Sequence, residues 1–416
     1  MTRPAPDRPA TLSPTPDFVR WPAADLLAAL LADGVAIAPN LGRGELLAAL
    51  QGHRLDQGHE VIAEGALELL PEGFGFVRSP HFDYEASPHD AFVSPSQVRA
   101  LNLKMGHHVV GPMRPPRGNE RYFSLAHVDR VNGVEPMQLA HRVLFAARTP
   151  LVATRPLRLP TDDLALRTLA VVAPWCRGQR VLVAAPATWP RSSWLTHLAT
   201  ALLGRDAELA AFVCLLDQRP EDLAAARAHG RDHLGLEVTG TTFDQPPERH
   251  VALAEMVLAR AMREVEAGRD VVLLVDSLTA LTTAAQRAHT ASGRWLCPGL
   301  DVQAVVPGKR LFAAARACAE GGSLTVVATA RTGSDAAADA AVLAEFRHRG
   351  NSDVVVDPQL AAAGAAVPFD LQLTRTRPED DDRDAATLQA VAMLRERAGK
   401  LAPGERDAGL ADLLPR

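Results

Sequence analysis

A loop between a predicted strand and a predicted helix holds the residues most able to do chemistry. An apolar run at residues 180–185 is typical of a buried strand, and a run with helical spacing follows at 193–203. A phosphate-binding loop with this strand–loop–helix frame reads G-x-x-x-x-G-K-[ST]. Its backbone amides surround the phosphates, its Lys reaches the terminal phosphates and its hydroxyl holds Mg²⁺. The frame therefore predicts a nucleotide site at residues 185–193.

This loop lacks several of the parts that such a site uses. Pro190 stands at the glycine before the Lys, and proline has a fixed φ and no N–H. Arg191 stands at the Lys, and its planar guanidinium does not replace a compact ammonium inside a tight loop. Ser192 keeps the hydroxyl. The sequence predicts the frame of a nucleotide site with most of its phosphate chemistry altered.

Two more candidates stand at the ends of predicted strands, where the active groups of open α/β sheets lie. Asp276 ends one apolar run and suits a carboxylate that helps to hold magnesium on a nucleotide. The alternative is that Asp276 only caps the following turn. Gln218 follows Asp217 at the end of another run, and its amide can orient a water molecule but cannot accept its proton. The alternative for Gln218 is a surface turn.

Aromatic residues and glycines alternate in the run Glu72–Arg78, which ends in a cation. Exposed rings such as Phe74 and Phe76 can stack on bases while a nearby Arg contacts phosphate. Farther along the chain, Glu120 can accept a hydrogen bond from a cytosine amino group, and Tyr122 adds another ring. The alternative is that the Phe rings fill the core of a small barrel. The residues alone leave both interpretations open.

Composition limits the class of protein. The 416 residues are 47% apolar with a net charge of −5, which suits about two or three globular domains. RNA binding by such a chain must depend on a local patch, and basic residues outnumber acidic ones between 95 and 131. No apolar run reaches the ~18–20 residues of a membrane span, and the four cysteines lack zinc or disulfide spacing. We therefore expect a cytoplasmic protein.

The patterns divide the chain into five segments. Residues 1–17 are polar and proline-rich, which predicts a disordered tail. Apolar residues at helical spacing predict a small helical cap over 18–60. Short alternating runs predict a β-barrel over 61–134, and the proline-rich stretch 135–165 suits a linker. From 166 to 416, continuous apolar runs alternate with helical stretches, which predicts an α/β domain with parallel strands.

Long runs in both halves of the sequence match one known family. They are Leu70–Ser79, Val93–Arg99, Glu120–Phe123, Arg177–Arg180, Asp217–Glu221, Thr242–Val251, Ala254–Val257, Val275–Thr279, Ala291–Arg294 and Glu320–Thr325. On these runs the chain resembles the bacterial transcription termination factor Rho family, over residues 18–400. The agreement is far more specific than any single motif.

The resemblance implies a multidomain fold. An N-terminal helical cap would precede an OB-type, cold-shock-like β-barrel that binds pyrimidine-rich single-stranded RNA, and a C-terminal α/β RecA-like P-loop ATPase domain would follow. The family forms hexameric rings that thread RNA and use ATP and Mg²⁺ to pull transcripts from RNA polymerase. The implied partners are therefore single-stranded RNA, the RNA polymerase complex and a homo-hexamer or a mixed ring with an intact Rho.

Carried over residue by residue, the resemblance implies a primary RNA site in the barrel, where Phe92 replaces the family's Tyr. Its members are Leu70, Phe74, Phe76, Arg78, Asp90, Phe92, Glu120, Arg121 and Tyr122. The resemblance also implies two RNA-contacting loops at the centre of the ring. They match Ser292, Gly293 and Arg294 in one loop and Ser334 and Asp335 in the other.

The motor half departs from the family at several positions. The family's loop lysines and glycine correspond to Thr188, Pro190 and Arg191. Its catalytic Glu corresponds to Gln218, and the aromatic residue that packs on adenine corresponds to Val367. Each of these positions belongs to the nucleotide site of the family.

Other positions of the motor half include one departure from the family and two matches to it. Asp335 puts an acid where the central RNA loop of the family has a Lys. Asp276 remains, and Arg377 matches the arginine finger. If a nucleotide binds, Ser192 and Asp276 would hold its Mg²⁺.

Loss of a general base alone typically slows a reaction by about 10²–10⁴-fold. We therefore predict a termination factor that binds nascent RNA and has an impaired ATPase and translocase motor, and whether ATP and Mg²⁺ are retained stays open. Three alternatives remain. The chain could be a fully active ATP-dependent RNA-translocating helicase, a non-enzymatic RNA-binding regulator or partner of an intact Rho, or a ring that docks on RNA polymerase without RNA.

Overall fold

The computed structural model describes residues 18–414 except 234, 335, 378–379, 382 and 402–404, and it leaves out the side chains of 139–141. The predicted tail at 1–17 and Asp335 lie outside the described residues. The described chain forms two compact units. The N-terminal unit comprises residues up to Lys104 together with His108–Ala140, and the C-terminal unit comprises Met105–His107 and the chain from His141 onward.

The N-terminal unit begins with two helices, α1 (Ala23–Ala32) and α2 (Arg43–Asp56). Leu26 and Leu30 of α1 and Leu47 of α2 are fully buried in their shared core, because these apolar positions recur at helical spacing. This pair of helices is the predicted helical cap.

A closed barrel follows the two helices. Its elements are β1 (Ile62–Leu69), β2 (Gly75–Arg78), β3 (Ala91–Val93), α3 (Pro95–Ala100), β4 (His108–Arg114), β5 (Ser124–Leu125) and β6 (Arg130–Val131). The strand order is β1-β2-β3-β5-β4, β4 pairs back to β1, and β6 adds to β4. A Cβ at Gly65 would lie 2.2 Å from the Arg78 carbonyl oxygen, so only Gly fits where β1 passes from β4 to β2.

The C-terminal unit is an α/β domain. Its elements are β7 (Pro150–Leu151), β8 (Pro156–Leu157), α4 (Leu164–Val172), β9 (Trp175–Cys176), β10 (Arg180–Pro186), α5 (Arg191–Arg205), β11 (Ala210–Gln218), α6 (Pro220–Gly230), β12 (Leu236–Thr242), α7 (Pro247–Glu266), β13 (Asp270–Asp276), α8 (Leu278–Ala288), β14 (Trp295–Cys297), β15 (Leu300–Asp301), α9 (Val306–Ala313), β16 (Arg316–Cys318), β17 (Ser323–Thr332), α10 (Ala337–Phe346), β18 (Ser352–Val355), α11 (Pro358–Ala362), β19 (Arg375–Thr376), α12 (Ala385–Gly399) and α13 (Arg406–Leu413).

The main sheet has the order β12-β11-β13-β17-β10-β18-β19. Its first six strands are parallel, and β19 joins the edge antiparallel to β18. Strands β10, β11, β13 and β17 are buried over nearly their whole length, which explains their continuous apolar runs. Their carboxyl ends share one edge of the sheet, so Asp276, Gln218 and the loop after β10 come together there.

No helix in the described part of the chain is both long enough and apolar enough to cross a membrane.

Candidate nucleotide and RNA sites

Asp276, at the end of β13, is the centre of the predicted nucleotide site. Its side chain is only 2% exposed, and both of its carboxylate oxygens accept hydrogen bonds from the protein. Thr329 Oγ1 lies 2.7 Å from Oδ1, and Arg191 Nε lies 3.0 Å from the same oxygen. Gln218 Nε2 lies 3.4 Å from Oδ2. A buried carboxylate needs such donors, since burial of an unpaired charge is costly.

Arg191 begins helix α5 and turns its guanidinium back into the protein. Besides its contact with Asp276, its Nη1 donates to the Pro186 carbonyl oxygen at 3.0 Å and to the Ala187 carbonyl oxygen at 3.2 Å. The side chain is 15% exposed. One cation therefore joins the strand-end carboxylate to the carbonyl groups of the loop.

The loop backbone also uses its own donors. Trp189 N donates to the Pro186 carbonyl oxygen at 3.2 Å, and Arg191 N donates to the Trp189 carbonyl oxygen at 2.8 Å. Pro186 and Pro190 have no N–H to offer. Thr188 is exposed and Ser192 is half-buried. Fewer amides than in a glycine-rich loop are thus left to surround a phosphate.

Aromatic side chains pack beside this loop. The rings of Trp189 and Trp194 are 5.2 Å apart between centroids, and Phe369 lies 6.5 and 6.1 Å from them. Val367, the residue matched to the adenine-packing position, is fully buried in the same core. The structure therefore places Val367 inside the domain.

Gln218 and Arg377 lie at different places on the sheet. Gln218 Nε2 also donates to the Leu216 carbonyl oxygen at 2.8 Å, so its amide is held against the strand ends. Arg377 follows the edge strand β19, and its backbone N–H donates to the Asn351 carbonyl oxygen at 2.9 Å. Four strand spacings separate β19 from β13, which is about 19 Å. Within one chain, Arg377 does not join the group around Asp276.

The barrel carries four rings on its outer surface, here called the barrel aromatic cluster: Phe74, Phe76, Phe92 and Tyr122. Phe76 pairs with Phe92 across β2 and β3, and its centroid lies 5.8 Å from Phe92 and 5.1 Å from Tyr122. The Phe74 centroid lies 5.4 Å from Phe92. Val77, the next residue on β2, belongs to the apolar barrel core, so the alternation of the strand sends Phe76 to the other face.

Exposure differs among these rings. Phe76 is 7% exposed and supports the others, whereas Phe74 and Phe92 are half-buried and Tyr122 is 50% exposed. Leu70 is also half-buried and its N–H donates to the Phe74 carbonyl oxygen at 2.8 Å. The cluster thus offers ring surface on a firm base, which suits stacking on bases.

A charged network lies under the cluster. The Arg78 guanidinium is 4.7 Å from the Phe76 ring centre, donates from Nε to Glu68 Oε2 at 2.6 Å and forms an ion pair with Asp90. Burial raises the pKa of Asp90 to about 6, although Arg78 opposes the shift. Burial lowers the pKa of neighbouring His89 to about 4. Arg78 and Asp90 therefore form a buried ion pair beneath the rings of the cluster. Arg121, the residue before Tyr122 in the sequence, is exposed.

Glu120 has a partner that the sequence did not reveal. Arg114 binds its carboxylate with two hydrogen bonds, of 2.6 and 2.9 Å, and Arg117 N adds a third at 2.9 Å. The hydrogen bonds from Arg114 lower the pKa of Glu120 to about 2. The opposite charges six residues apart across a Pro-Pro turn were the available signal. Glu120 is held in place, exposed and ionised.

The two predicted central RNA loops are neighbours. Ser292 is tied to Asp301, Gly293 has φ +81°, and Arg294 is exposed. Strand β14, which follows Arg294, contacts helix α10, which begins shortly after Ser334. Ser334 Oγ donates to Asp339 Oδ2 of α10 at 2.6 Å.

The fold defines a class: an OB-type barrel followed by a domain with a RecA-like P-loop ATPase fold. An ATPase from the type III secretion system of pathogenic bacteria has the same fold, with a TM-score of 0.52 and 21% identity, covering 70% of this chain and 83% of that one. Residues 63–137 match the model of the Rho termination factor RNA-binding domain.

Curated relatives identify the family. The transcription termination factor Rho of Chromobacterium violaceum is 38% identical over 364 residues, which are 86% of each chain. That of Cereibacter sphaeroides is 37% identical over 89% of this chain and 88% of its own. The chain belongs to the transcription termination factor Rho family. The fold class predicted from the sequence is confirmed.

Proposed function

We propose that this chain is a Rho-family transcription termination factor that binds pyrimidine-rich single-stranded nascent RNA and has an impaired ATP-driven motor. The observation that carries the proposal is the hydrogen-bonded ion pair between Arg191 and Asp276, with Nε 3.0 Å from Oδ1. ATP and Mg²⁺ are the cofactors that the family fold implies, and the contacts of these two residues oppose both.

The side chains around Asp276 do not fit a magnesium-bound triphosphate. The Mg²⁺ ion needs the Asp276 carboxylate, which here accepts hydrogen bonds from Arg191, Thr329 and Gln218. The triphosphate needs a cation from the loop, and Arg191 directs its guanidinium to protein oxygens instead. A magnesium-bound triphosphate could therefore bind only after the Arg191–Asp276 pair and the other hydrogen bonds to this carboxylate break, which opposes binding.

Hydrolysis would fail even if a nucleotide were bound. Gln218 stands at the catalytic position, and an amide cannot take a proton from water at neutral pH. Loss of a general base alone costs about 10²–10⁴-fold. The altered phosphate-binding loop affects the same hydrolysis step. The two losses together would leave the rate of ATP hydrolysis near background.

RNA binding has separate support in the barrel. In the barrel aromatic cluster the rings of Phe74, Phe92 and Tyr122 are partly exposed. Glu120 is oriented so that it can accept a hydrogen bond from a base amino group. The matched RNA-binding family model covers this region. A chain with this pair of properties would act on nascent RNA beside RNA polymerase, as a homo-hexamer or within a mixed ring with an intact Rho.

A working motor is the second candidate. Asp276 remains at its strand end, Ser192 keeps its hydroxyl and Arg377 is present. Purified protein should be assayed for ATP hydrolysis with Mg²⁺, with and without oligocytidine. We expect turnover at the level of the protein-free blank, and hydrolysis stimulated by RNA would establish the working motor instead.

A further inference from the structure

Glu68 of β1 lies on the face of the barrel that carries the barrel aromatic cluster, and it is not among the RNA-site residues that the resemblance implies. Glu68 lies opposite Phe76 in the antiparallel pair β1–β2, so the two side chains are neighbours on one face of the sheet. Leu67, the preceding residue, is fully buried in the barrel core, and the alternation of the strand places Glu68 on the outer face. The Glu68 side chain is 31% exposed. It therefore borders the surface that the rings form.

Glu68 and Asp90 together hold the guanidinium of Arg78. Arg78 Nε and Nη2 each lie 2.6 Å from Glu68 Oε2, and Arg78 Nη1 pairs with Asp90. The guanidinium is planar, and its donors have a fixed geometry. All three of its nitrogen atoms contact a carboxylate, so a rotation of the group would break at least one of these contacts.

The position of Arg78 matters for the rings above it. Its guanidinium is 4.7 Å from the centre of the Phe76 ring, which is within the range of a cation–π contact. Phe76 in turn lies against Phe92 and Tyr122, with centroids 5.8 and 5.1 Å away. A series of contacts therefore leads from Glu68 through Arg78 and Phe76 to the more exposed rings.

We propose that Glu68 is a positioning residue for RNA binding, which fixes the rings for base stacking by holding Arg78 against Phe76. The inference rests on the proposed RNA-binding function and adds a residue that acts through Arg78. Rings that are ordered before RNA arrives lower the entropic cost of binding a flexible strand. A carboxylate repels the phosphates of RNA, so this indirect role suits Glu68 better than a contact with the RNA backbone.

The first test is Glu68→Gln in the full chain, with binding of fluorescein-labelled oligocytidine followed by anisotropy. The affinity should fall by about 3- to 10-fold, because the rings remain but Arg78 is held less firmly. Arg78 keeps its ion pair with Asp90, so the barrel should still fold, and circular dichroism checks this. The matched control is Glu64→Gln on the same strand. Glu64 is 65% exposed and pairs with His108 at 3.4 Å, and its substitution should leave the affinity unchanged.

A second chain separates positioning from direct contact with RNA. Arg78→Lys keeps the positive charge beside Asp90 but loses the planar group that Glu68 holds. In an Arg78→Lys chain, Glu68→Gln should change the affinity by less than about 2-fold, since Glu68 acts through the guanidinium. An equal loss of affinity from Glu68→Gln in both chains would overturn the inference, because Glu68 would then act without Arg78.

The pH profile of the RNA affinity is a readout that a role in folding alone would not alter. Burial raises the pKa of Asp90 to about 6, the charge of Glu68 adds to the rise, and Arg78 opposes it. Protonation of Asp90 removes one of the two acids that hold Arg78, so the affinity of the unaltered chain should fall between pH 7.5 and pH 5. In Glu68→Gln the pKa of Asp90 should be lower, and the fall should move to lower pH. Adjacent His89, with a pKa of about 4, titrates below this window.

Two further results would overturn the inference. One is an unchanged oligocytidine affinity in Glu68→Gln, and the other is the same pH profile in Glu68→Gln as in the unaltered chain. Failure of the unaltered chain to bind oligocytidine at all would instead defeat the proposed function.

Discussion

Arg191 and Asp276, 85 positions apart in the sequence, form a hydrogen-bonded ion pair at the carboxyl edge of the sheet, with Arg191 Nε 3.0 Å from Asp276 Oδ1. The Arg side chain is 15% exposed and the Asp side chain 2%. In a phosphate-binding site the loop cation and the strand-end carboxylate serve a bound triphosphate and its metal ion. Here the two side chains pair with each other, so the buried carboxylate has a cation of the protein as its partner.

We expect Arg191→Gln to destabilise the C-terminal unit, because Asp276 would stay buried without its cation. Removal of one partner of such a pair should lower the free energy of unfolding by about 2–4 kcal/mol, somewhat below a fully buried pair. Urea unfolding measures the loss. Lys400→Gln breaks an exposed pair with Glu396 and is the matched control, with little expected loss. Equal effects of the two substitutions would contradict the importance of the Arg191–Asp276 pair.

We expect Phe74→Ala to weaken binding of oligocytidine by about 5- to 150-fold, since one stacked base contributes about 1–3 kcal/mol. Phe74 is half-buried on the barrel surface, so its loss should alter binding more than folding. Fluorescence anisotropy gives the affinity, and circular dichroism checks the fold. The control is Leu31→Ala, which removes an exposed apolar side chain of α1. Unchanged affinity in Phe74→Ala would refute stacking by the barrel aromatic cluster.

Glu120→Gln should reduce the preference for cytosine. The carboxylate accepts hydrogen bonds only, and it is already oriented by Arg114, whereas an amide also presents an N–H₂ donor to the base. A lost base contact costs about 1–3 kcal/mol of discrimination. Competition between oligocytidine and oligouridine measures the effect. A preference that stays the same in Glu120→Gln would mean that Glu120 serves only Arg114.

Acid should weaken the N-terminal unit through His89. Burial, and secondarily Arg43 and Arg78, lower the pKa of His89 from its ordinary 6.5 to about 4 in the folded chain. Unfolding therefore takes up a proton between these values, and the His89 contribution falls as pH falls from 6.5 to 4, by roughly 2–3 kcal/mol. Asp90 opposes this change, because burial raises its pKa to about 6 and its protonation on acidification favours the folded chain.

The contribution of His89 is isolated by comparison with His89→Gln. Amide hydrogen exchange of β2, corrected for the intrinsic rate at each pH, reports the stability of the barrel. Between pH 7 and pH 4.5 the unaltered chain should lose stability relative to His89→Gln. His127→Gln, at a histidine that is 66% exposed, is the control and should behave like the unaltered chain. Parallel pH profiles for all three chains would contradict the prediction.

The fold was accessible from the sequence because its signals are local. The continuous apolar run Val271–Val275 lies within the observed strand Asp270–Asp276, and the run predicted as helix at 193–203 lies within Arg191–Arg205. Buried parallel strands have apolar residues on both faces, and this composition distinguishes them from loops.

The partners of the site residues were not accessible in the same way. Nothing local in the sequence indicates that Arg191 turns back to Asp276, since that contact depends on how β10 and β13 are ordered in the sheet. Thr329, which donates to Asp276, follows an apolar run and carries no motif. Whether a Phe faced RNA or the core was also left open, and the structure shows Phe76 supporting rings that are more exposed.

The most direct test of the central claim is a titration of the purified chain with ATP, with and without Mg²⁺ and with and without oligocytidine. The claim is that Arg191 holds the carboxylate that a nucleotide-bound Mg²⁺ ion requires. We predict no saturable binding that depends on Mg²⁺ under any of these conditions. Saturable, Mg²⁺-dependent binding of ATP that strengthens with oligocytidine would contradict the account.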